Sequence, residues 1–186
     1  MQKSKQPRKP KGGYQISEFA VSLFFLISCV VLPLINLSVI PVRYGLGNSM
    51  VSTWVQQRAQ SETLGTALQD KAQANLLESL NKIGGIRVKA SQLALIVESA
   101  KLQGQTKVIT KPGNIDKDWL PDGPIGPYVY RLEAQIECEI SPLVVLPVPN
   151  VKVPGLTSPF AVNYHNSAVW ENTGRDPATG EFFVNE

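Results

Sequence analysis

The chain has 186 residues, of which 43% are hydrophobic and 18% charged; this suits one domain with an anchor and excludes global disorder. Two cysteines and one histidine exclude a Cys/His zinc or iron–sulfur centre and a disulfide framework, so no metal and no cofactor are expected. Five basic residues lie in residues 1–13, and the remainder holds 13 basic against 15 acidic residues. A nucleic-acid partner is therefore disfavoured.

A long apolar segment follows this basic leader. Residues 19–40 are 22 consecutive uncharged residues, which as a helix would span a hydrocarbon core of about 30 Å. This run is longer than the core of a cleaved secretory signal. The positive leader predicts a cytoplasmic N-terminus. We therefore predict a cytoplasmic leader over 1–13, a transmembrane helix over 14–41 and an extracytoplasmic domain over 42–186.

Glu18 is the only acidic residue among the first 61 residues, and it stands at the edge of the apolar segment. A carboxylate there is costly to ionise unless it has a partner. One interpretation places it at the cytoplasmic interface, where it stays hydrated. The residues around it favour another interpretation.

Residues 11–19 read Lys-Gly-Gly-Tyr-Gln-Ile-Ser-Glu-Phe, a stretch that resembles the processing site of type IV prepilins. The resemblance implies that an inner-membrane prepilin peptidase cuts between Gly13 and Tyr14, leaving Tyr14 as the new N-terminus. A glycine there lets an extended backbone enter a protease cleft. Glu18 would then lie about one helical turn from the new amino group, which could neutralise it within lipid.

Glu18-Phe19-Ala20 running into an apolar helix is similar to the N-terminal pattern of TadE-like pseudopilins of tight-adherence (Flp-type) pilus systems. Residues 153–162 also resemble the proline-glycine turn before the last strand of such proteins. The resemblance implies a minor pseudopilin that acts in pilus assembly or structure at the bacterial inner membrane. Its partners would be the prepilin peptidase, other pilins or pseudopilins and the assembly machinery, with Glu18 and Phe19 setting the assembly register.

Two alternatives stay open at this point. One is an uncleaved signal-anchored envelope protein with a binding or scaffold role. The other is a type II secretion pseudopilin, which would share the processing site but serve protein export.

The region after the membrane segment predicts one amphipathic helix over about 49–82. Asn36 and Pro41 are expected to weaken the end of the membrane helix, and residues 45–48 to bend the chain, with Asn48 or Ser49 as the helix cap. Apolar residues recur on one face of the predicted helix at Leu64, Ala67, Leu68, Ala72, Leu76, Leu77 and Leu80.

The end of that helix is predicted from two local signals. Gly84-Gly85 is typical of a helix C-terminus. Glu78 and Lys82 stand four residues apart, the spacing of a weak ion pair on a helix surface.

Downstream, the hydrophobic period changes from four to two. Residues 130–140 alternate apolar and polar side chains, which predicts a half-buried strand with Cys138 as an unreactive buried thiol. Residues 92–102 and 105–110 predict a hairpin, and 160–170 a final strand. The predicted fold class is therefore α+β: an N-terminal transmembrane helix continuing into an amphipathic helix, packed on an antiparallel sheet of about four strands over 92–170, with a C-terminal tail over 171–186.

A 17-residue loop over 111–127 separates two of these strands. Trp119 lies in it, and two interpretations stay open: a lid folded back on the core, or an anchor for another subunit. Asp116, Asp118 and Asp122 do not have the spacing of an EF-hand loop, so no metal site is expected.

Catalysis is not expected from this sequence. It contains no nucleophile elbow, phosphate-binding loop or metal-ligand spacing. His165, the single histidine, is predicted to be a partly buried strand residue. The protein is therefore predicted not to be an enzyme.

Overall fold

The computed structural model describes residues 12–101, 105–113, 115–145 and 151–186; of the predicted leader it describes only Gly12 and Gly13. The elements follow in the order α1 (Gly12–Leu26), a π-helical turn (Ile27–Val31), α2 (Leu32–Ala59), α3 (Leu64–Ala67), α4 (Asp70–Lys82), β1 (Ile86–Ser99), β2 (Thr106–Ile109), a 3-10 turn (Lys117–Trp119), β3 (Tyr128–Ile140) and β4 (Phe160–Val169).

The N-terminal helix is continuous from Gly12 to Ala59 because α1, the π-helical turn and α2 follow one another without a gap. The π-helical turn lies just before Pro33, which has no N–H to donate to the preceding turn. The helix thus adjusts its hydrogen-bonding pattern at the proline and does not break. Among the described residues it is the one helix long and apolar enough to cross a membrane.

The predicted weakening and bend at the end of the membrane segment are wrong. α2 passes through Pro41 and through residues 45–48 as regular helix. The reason is tertiary packing: Val51 and Val55 are fully buried against the domain. Their burial outweighs the poor helix propensity of proline and glycine in this stretch.

The single helix predicted over 49–82 is also wrong, because α2, α3 and α4 occupy that stretch. Thr63 starts α3 as its N-cap, and its side chain accepts a hydrogen bond from the Thr66 backbone N–H, as threonine caps do. The C-terminal segment accepts the next N–H groups: Leu64 N donates to Phe183 O at 3.1 Å and Gly65 N to Glu186 O at 2.6 Å. The break is therefore held by contacts distant in sequence.

The predicted stripe of small and apolar residues is nevertheless directed inwards. Its buried members are Leu64, Ala67, Leu76 and Leu80, and Leu68 and Leu77 are partly buried; of Ala72 only the backbone is described. α4 ends before Gly84, whose φ is +66°, and Glu78 pairs with Lys82 at 2.7 Å. The predicted C-terminal end of the helix and its ion pair are confirmed.

The four strands form one antiparallel sheet in the order β2-β1-β3-β4, which confirms the α+β class. β3 alternates buried and less buried residues over nearly its whole length, as its sequence predicts. β1 begins at Ile86, six residues earlier than predicted, and shifts its register at Val88/Ala90. α2 packs against β3 and β4, and α4 against β1 and α2.

The C-terminal residues predicted as a tail belong to the core. Phe182 is 8% and Val184 0% exposed, and both pack with the buried residues of the sheet and helices. Trp170, just after β4, is also buried. The alternation of the apolar residues Phe182 and Val184 in the sequence was a signal that this segment is buried.

Candidate functional site: the N-terminal helix and its attachment

The first half of the long helix exposes its side chains. Every residue from 16 to 27 is exposed, including Ile16 at 74%, Phe19 at 69% and Phe24 at 67%. So large an apolar surface is not a stable solvent interface and indicates lipid or another apolar helix as its surroundings. Glu18 is exposed in the same stretch and is its only acid.

The predicted processing residues Gly13 and Tyr14 lie within α1. The predicted boundary between residues 13 and 14 therefore falls inside the helix, and cleavage at the Gly13–Tyr14 bond stays a prediction.

Asn36 joins the helix to the globular part. Its side chain is fully buried, and its amide makes two hydrogen bonds to the backbone of Val144: Nδ2 donates to the carbonyl at 2.6 Å, and Oδ1 accepts from the N–H at 3.0 Å. The prediction that Asn36 weakens the helix is therefore wrong: Asn36 attaches a loop to the helix. The contact lies five residues before the predicted boundary at 41/42, which stays a prediction.

One face of the helix carries the attachment from there to its end. The residues on this face recur every three or four positions, as neighbours on one helix face do. They are Asn36, Ile40, Arg43, Tyr44, Gly47, Val51, Val55 and Ala59. The spacing of four between Gly47, Val51, Val55 and Ala59 was a signal in the sequence that the prediction of a bend at 45–48 obscured.

Arg43 and Tyr44 hold the centre of this attachment. The Arg43 guanidinium donates from Nη1 to the Ser141 carbonyl at 2.6 Å and lies against Gly85, where a side chain would collide with it. The Tyr44 ring stacks on the Tyr164 ring with centroids 5.4 Å apart. Both contacts join the helix to the two strands nearest to it.

Tyr164 fills the space between β4 and the helix at Gly47. A Cβ atom at Gly47 would lie 2.6 Å from Cζ of Tyr164, so only glycine allows this approach. The Tyr164 hydroxyl is buried and has no hydrogen-bond partner among the described residues. Burial raises the pKa of Tyr164 to about 12, because the ionised phenolate would lose its hydration.

The length of the exposed segment matches a bilayer. Glu18 and Asn36 are 18 residues apart, or about 27 Å along a helix at about 1.5 Å per residue. This is close to the roughly 30 Å thickness of a hydrocarbon core. The only acid of the segment and the Asn36–Val144 contact thus lie about one membrane thickness apart.

Trp119 is folded back on the core, which is the first of the two interpretations that its sequence left open. It is half-buried, its ring lies 6.1 Å from that of Tyr128, and its carbonyl accepts a hydrogen bond from the Tyr130 hydroxyl at 2.8 Å. Lys107 fixes the loop from the other side through Asp116 at 2.7 Å. A contact of Trp119 with another subunit stays a prediction.

A cleft of about 540 Å³ lies between this loop and the C-terminal segment. Ile115, Leu120 and Phe182 form part of its wall, and an ion pair between Asp122 and Arg175 at 2.5 Å stands at its side. Asp116 and Asp122 are engaged in separate ion pairs, and the described part of the chain contains no group of three or more candidate metal ligands. The cleft has the size of a ligand site.

His165 and the two cysteines complete the chemically distinctive residues. His165 is exposed because its position in β4 points away from the helices, so the prediction that it is partly buried is wrong. Its Nε2 lies 2.6 Å from Oε1 of Glu133. Cys138 is buried, as predicted, and burial raises the pKa of its thiol to about 11, which disfavours the reactive thiolate. Cys29 is exposed on the apolar part of the helix.

No known protein family, curated protein or solved structure matches the chain.

Proposed function

We propose that the protein is a minor TadE-like pseudopilin, anchored in the bacterial inner membrane and processed by a prepilin peptidase, which takes part in the assembly or structure of a tight-adherence pilus. The observation that carries the proposal is the continuous N-terminal helix: its first half exposes apolar side chains beyond Glu18, and its second half is packed on the sheet. A filament subunit needs such a helix, because one end must leave lipid while the other carries the domain.

The proposed mechanism begins with the topology of the precursor. The basic leader keeps the N-terminus in the cytoplasm, where the peptidase cuts between Gly13 and Tyr14. The new α-amino group lies about one turn from Glu18. An ammonium from the same or a neighbouring subunit then neutralises the carboxylate, which lowers the cost of keeping it in an apolar environment.

Assembly would move the exposed segment from lipid into a bundle of like helices. Both environments are apolar, so hydrophobic burial supplies little net driving force for this transfer. Pairing of Glu18 with an amino group then fixes the register of one subunit against the next. The assembly motor would supply the work of extracting the subunit, and the contacts of Asn36, Arg43 and Tyr44 would transmit the pull to the domain.

Crosslinking at Cys29 tests this proposal in cells that contain the pilus machinery. Cys29 is exposed on the segment that would enter the bundle, whereas Cys138 is buried, so a thiol crosslinker reports helix contacts selectively. We expect adducts between subunits that Glu18→Ala strongly reduces, without loss of the protein from the membrane. Glu62→Ala, at an exposed acid outside the helix, is the matched control and should leave the adducts unchanged.

Two results of that experiment would contradict the proposal. One is crosslinking of the Glu18→Ala variant at the level of the unmodified protein, which would remove Glu18 from assembly. The other is the absence of Cys29-dependent adducts in any strain, which would leave the chain a solitary membrane protein.

The main alternative is an uncleaved signal-anchored envelope binding protein, and the cleft beside Ile115 and Phe182 is the feature that favours it. This alternative predicts that the leader is retained and that crosslinking through Cys29 does not depend on Glu18. A type II secretion pseudopilin would give the same processing and crosslinking as a pilus subunit. Loss of protein export, with surface pili intact, in a deletion strain would favour the secretion system.

A further inference from the structure

The connection between β3 and β4 exposes an apolar surface beside the long helix. Five described aliphatic side chains carry it: Leu143 (55% exposed), Val144 (39%), Val145 (62%), Val151 (49%) and Val153 (38%). Exposed aliphatic residues occur singly on most protein surfaces, but several of them within one connection indicate an interaction site.

The described residues on both sides of 146–150 in this connection lie beside the helix. On the first side, Ser141 contacts Arg43 and Val144 contacts Asn36. Arg43 and Asn36 are seven residues apart, or about 10 Å along the helix, which three extended residues can cover. On the other side, Gly155 lies against the side chain of Ile40.

The connection therefore reaches the level of the outer membrane boundary. From Glu18, at the edge of the uncharged apolar run, to Asn36 is about 27 Å along the helix, close to the thickness of a hydrocarbon core. Around that level the helix itself exposes Leu34 at 60% and Leu37 at 51%. The helix and the connection thus both expose apolar side chains around this level.

The charge of the connection also suits a lipid surface. Residues 140–170 contain no acidic residue, and Lys152, between two of the exposed valines, is exposed. Its ammonium can pair with lipid phosphates while its aliphatic part stays among apolar side chains. An absence of acids avoids repulsion from an anionic membrane surface.

We infer that this connection is a second membrane contact, in which Leu143, Val144, Val145, Val151 and Val153 enter the interfacial region of the outer leaflet. The inference rests on the proposed membrane anchoring of the N-terminal helix. The membrane helix and the connection, joined by the Asn36–Val144 hydrogen bonds, would then both contact the bilayer. Together they fix the orientation of the sheet relative to the bilayer, because a second contact prevents rotation of the domain about the helix axis. The subunit would then present the same side to its neighbours before assembly.

Lipid quenching of a site-specific fluorophore tests the inference on the full chain. In a Cys29→Ser background, single cysteines replace Val145, Val108 or Leu23, are labelled with NBD, and are reconstituted in phosphatidylcholine–phosphatidylglycerol vesicles with or without nitroxide-labelled lipid. Val108 is 54% exposed on the edge strand β2 and is the matched control for an exposed aliphatic site. Leu23 reports the span itself, and a sample without an added cysteine reports labelling of buried Cys138.

We expect nitroxide lipid to cause a loss of NBD emission at positions 145 and 23 and none at position 108. Quenching at 23 with no quenching at 145 would overturn the second contact and leave the membrane anchor standing. Absence of quenching at both positions would overturn the anchor and the second contact together. A blue-shifted but unquenched signal at 145 would show that protein, such as a second copy of the chain, covers the connection, which would also overturn the inference.

Discussion

Removing the hydroxyl of Tyr164 is expected to stabilise the protein. Tyr164 is fully buried, and its hydroxyl has no partner among the described residues. A buried donor without a hydrogen bond costs about 1–3 kcal/mol. Tyr164→Phe keeps the ring that stacks on Tyr44 and removes this cost, so the free energy of unfolding should rise by up to about 1–3 kcal/mol. For a chain of this size each kcal/mol corresponds to about 2–4 °C in Tm.

Tyr130→Phe is the matched control, because Tyr130 is equally buried at 3% exposure but donates its hydroxyl to the Trp119 carbonyl at 2.8 Å. This variant loses a hydrogen bond and should lower the free energy of unfolding by about 1 kcal/mol. Thermal unfolding of the full chain in detergent, followed by near-ultraviolet circular dichroism, measures both changes. If Tyr164→Phe lowers Tm as much as Tyr130→Phe does, the Tyr164 hydroxyl has a hydrogen-bond partner and the reasoning from an unpaired hydroxyl is refuted.

Three further predictions concern the attachment of the helix. Gly47→Ala should lower the free energy of unfolding by about 1–3 kcal/mol through overpacking. The control Gly45→Ala, with nothing within 4 Å of the added methyl group, should raise the free energy of unfolding by up to about 1 kcal/mol. Equal effects of the two variants in chemical denaturation would contradict this prediction. Asn36→Leu removes both hydrogen bonds to the loop backbone and should make that loop more sensitive to limited proteolysis, and an unchanged cleavage rate would argue against the contact. Burial raises the pKa of Cys138 to about 11 and of Tyr164 to about 12, from 9.0 and 10.0, so their contribution to stability is complete below about pH 9 and is lost as the pH rises towards 12. In unfolding experiments, a Cys138→Ala variant should lose less of its free energy of unfolding over this pH range than the unmodified protein. An equal loss in both proteins would contradict this prediction.

The sheet was largely predictable because its signals are local. β3 alternates apolar and polar residues over 130–140, and such a period determines which face is buried. β4 follows from the same pattern, whereas β1 contains a continuous apolar run over 93–97 and its start was missed by six residues. The predicted pair of Glu78 with Lys82 is confirmed because both residues lie on one helix surface.

The course of the helices was less predictable because distant contacts decide it. Pro41 and Gly47 read as helix-breaking signals, but Tyr164 and the buried valines of α2 hold that stretch helical. Conversely, the helix predicted across Thr63 is interrupted there, and the C-terminal segment accepts hydrogen bonds from the N–H groups of Leu64 and Gly65 at the start of α3. No local pattern reports on either partner.

Of the candidate site, the sequence identified the exposed end but not the attached end. Glu18 and Phe19 stood out because a single charge beside a long apolar run is conspicuous, and the structure places both on the exposed part of the helix. Asn36 was interpreted as a weak point because a polar residue in an apolar run gives no sign of its partner. Only the fold reveals that Val144 pairs with it.

The most direct test of the proposed function is the N-terminus of the protein extracted from membranes. Intact mass and N-terminal sequencing should be compared between cells with and without a prepilin peptidase, and for a Gly13→Leu variant. The proposal predicts a peptidase-dependent start at Tyr14 that the variant blocks. A start near Met1 in every strain would contradict it and would identify the chain as an uncleaved signal-anchored envelope protein.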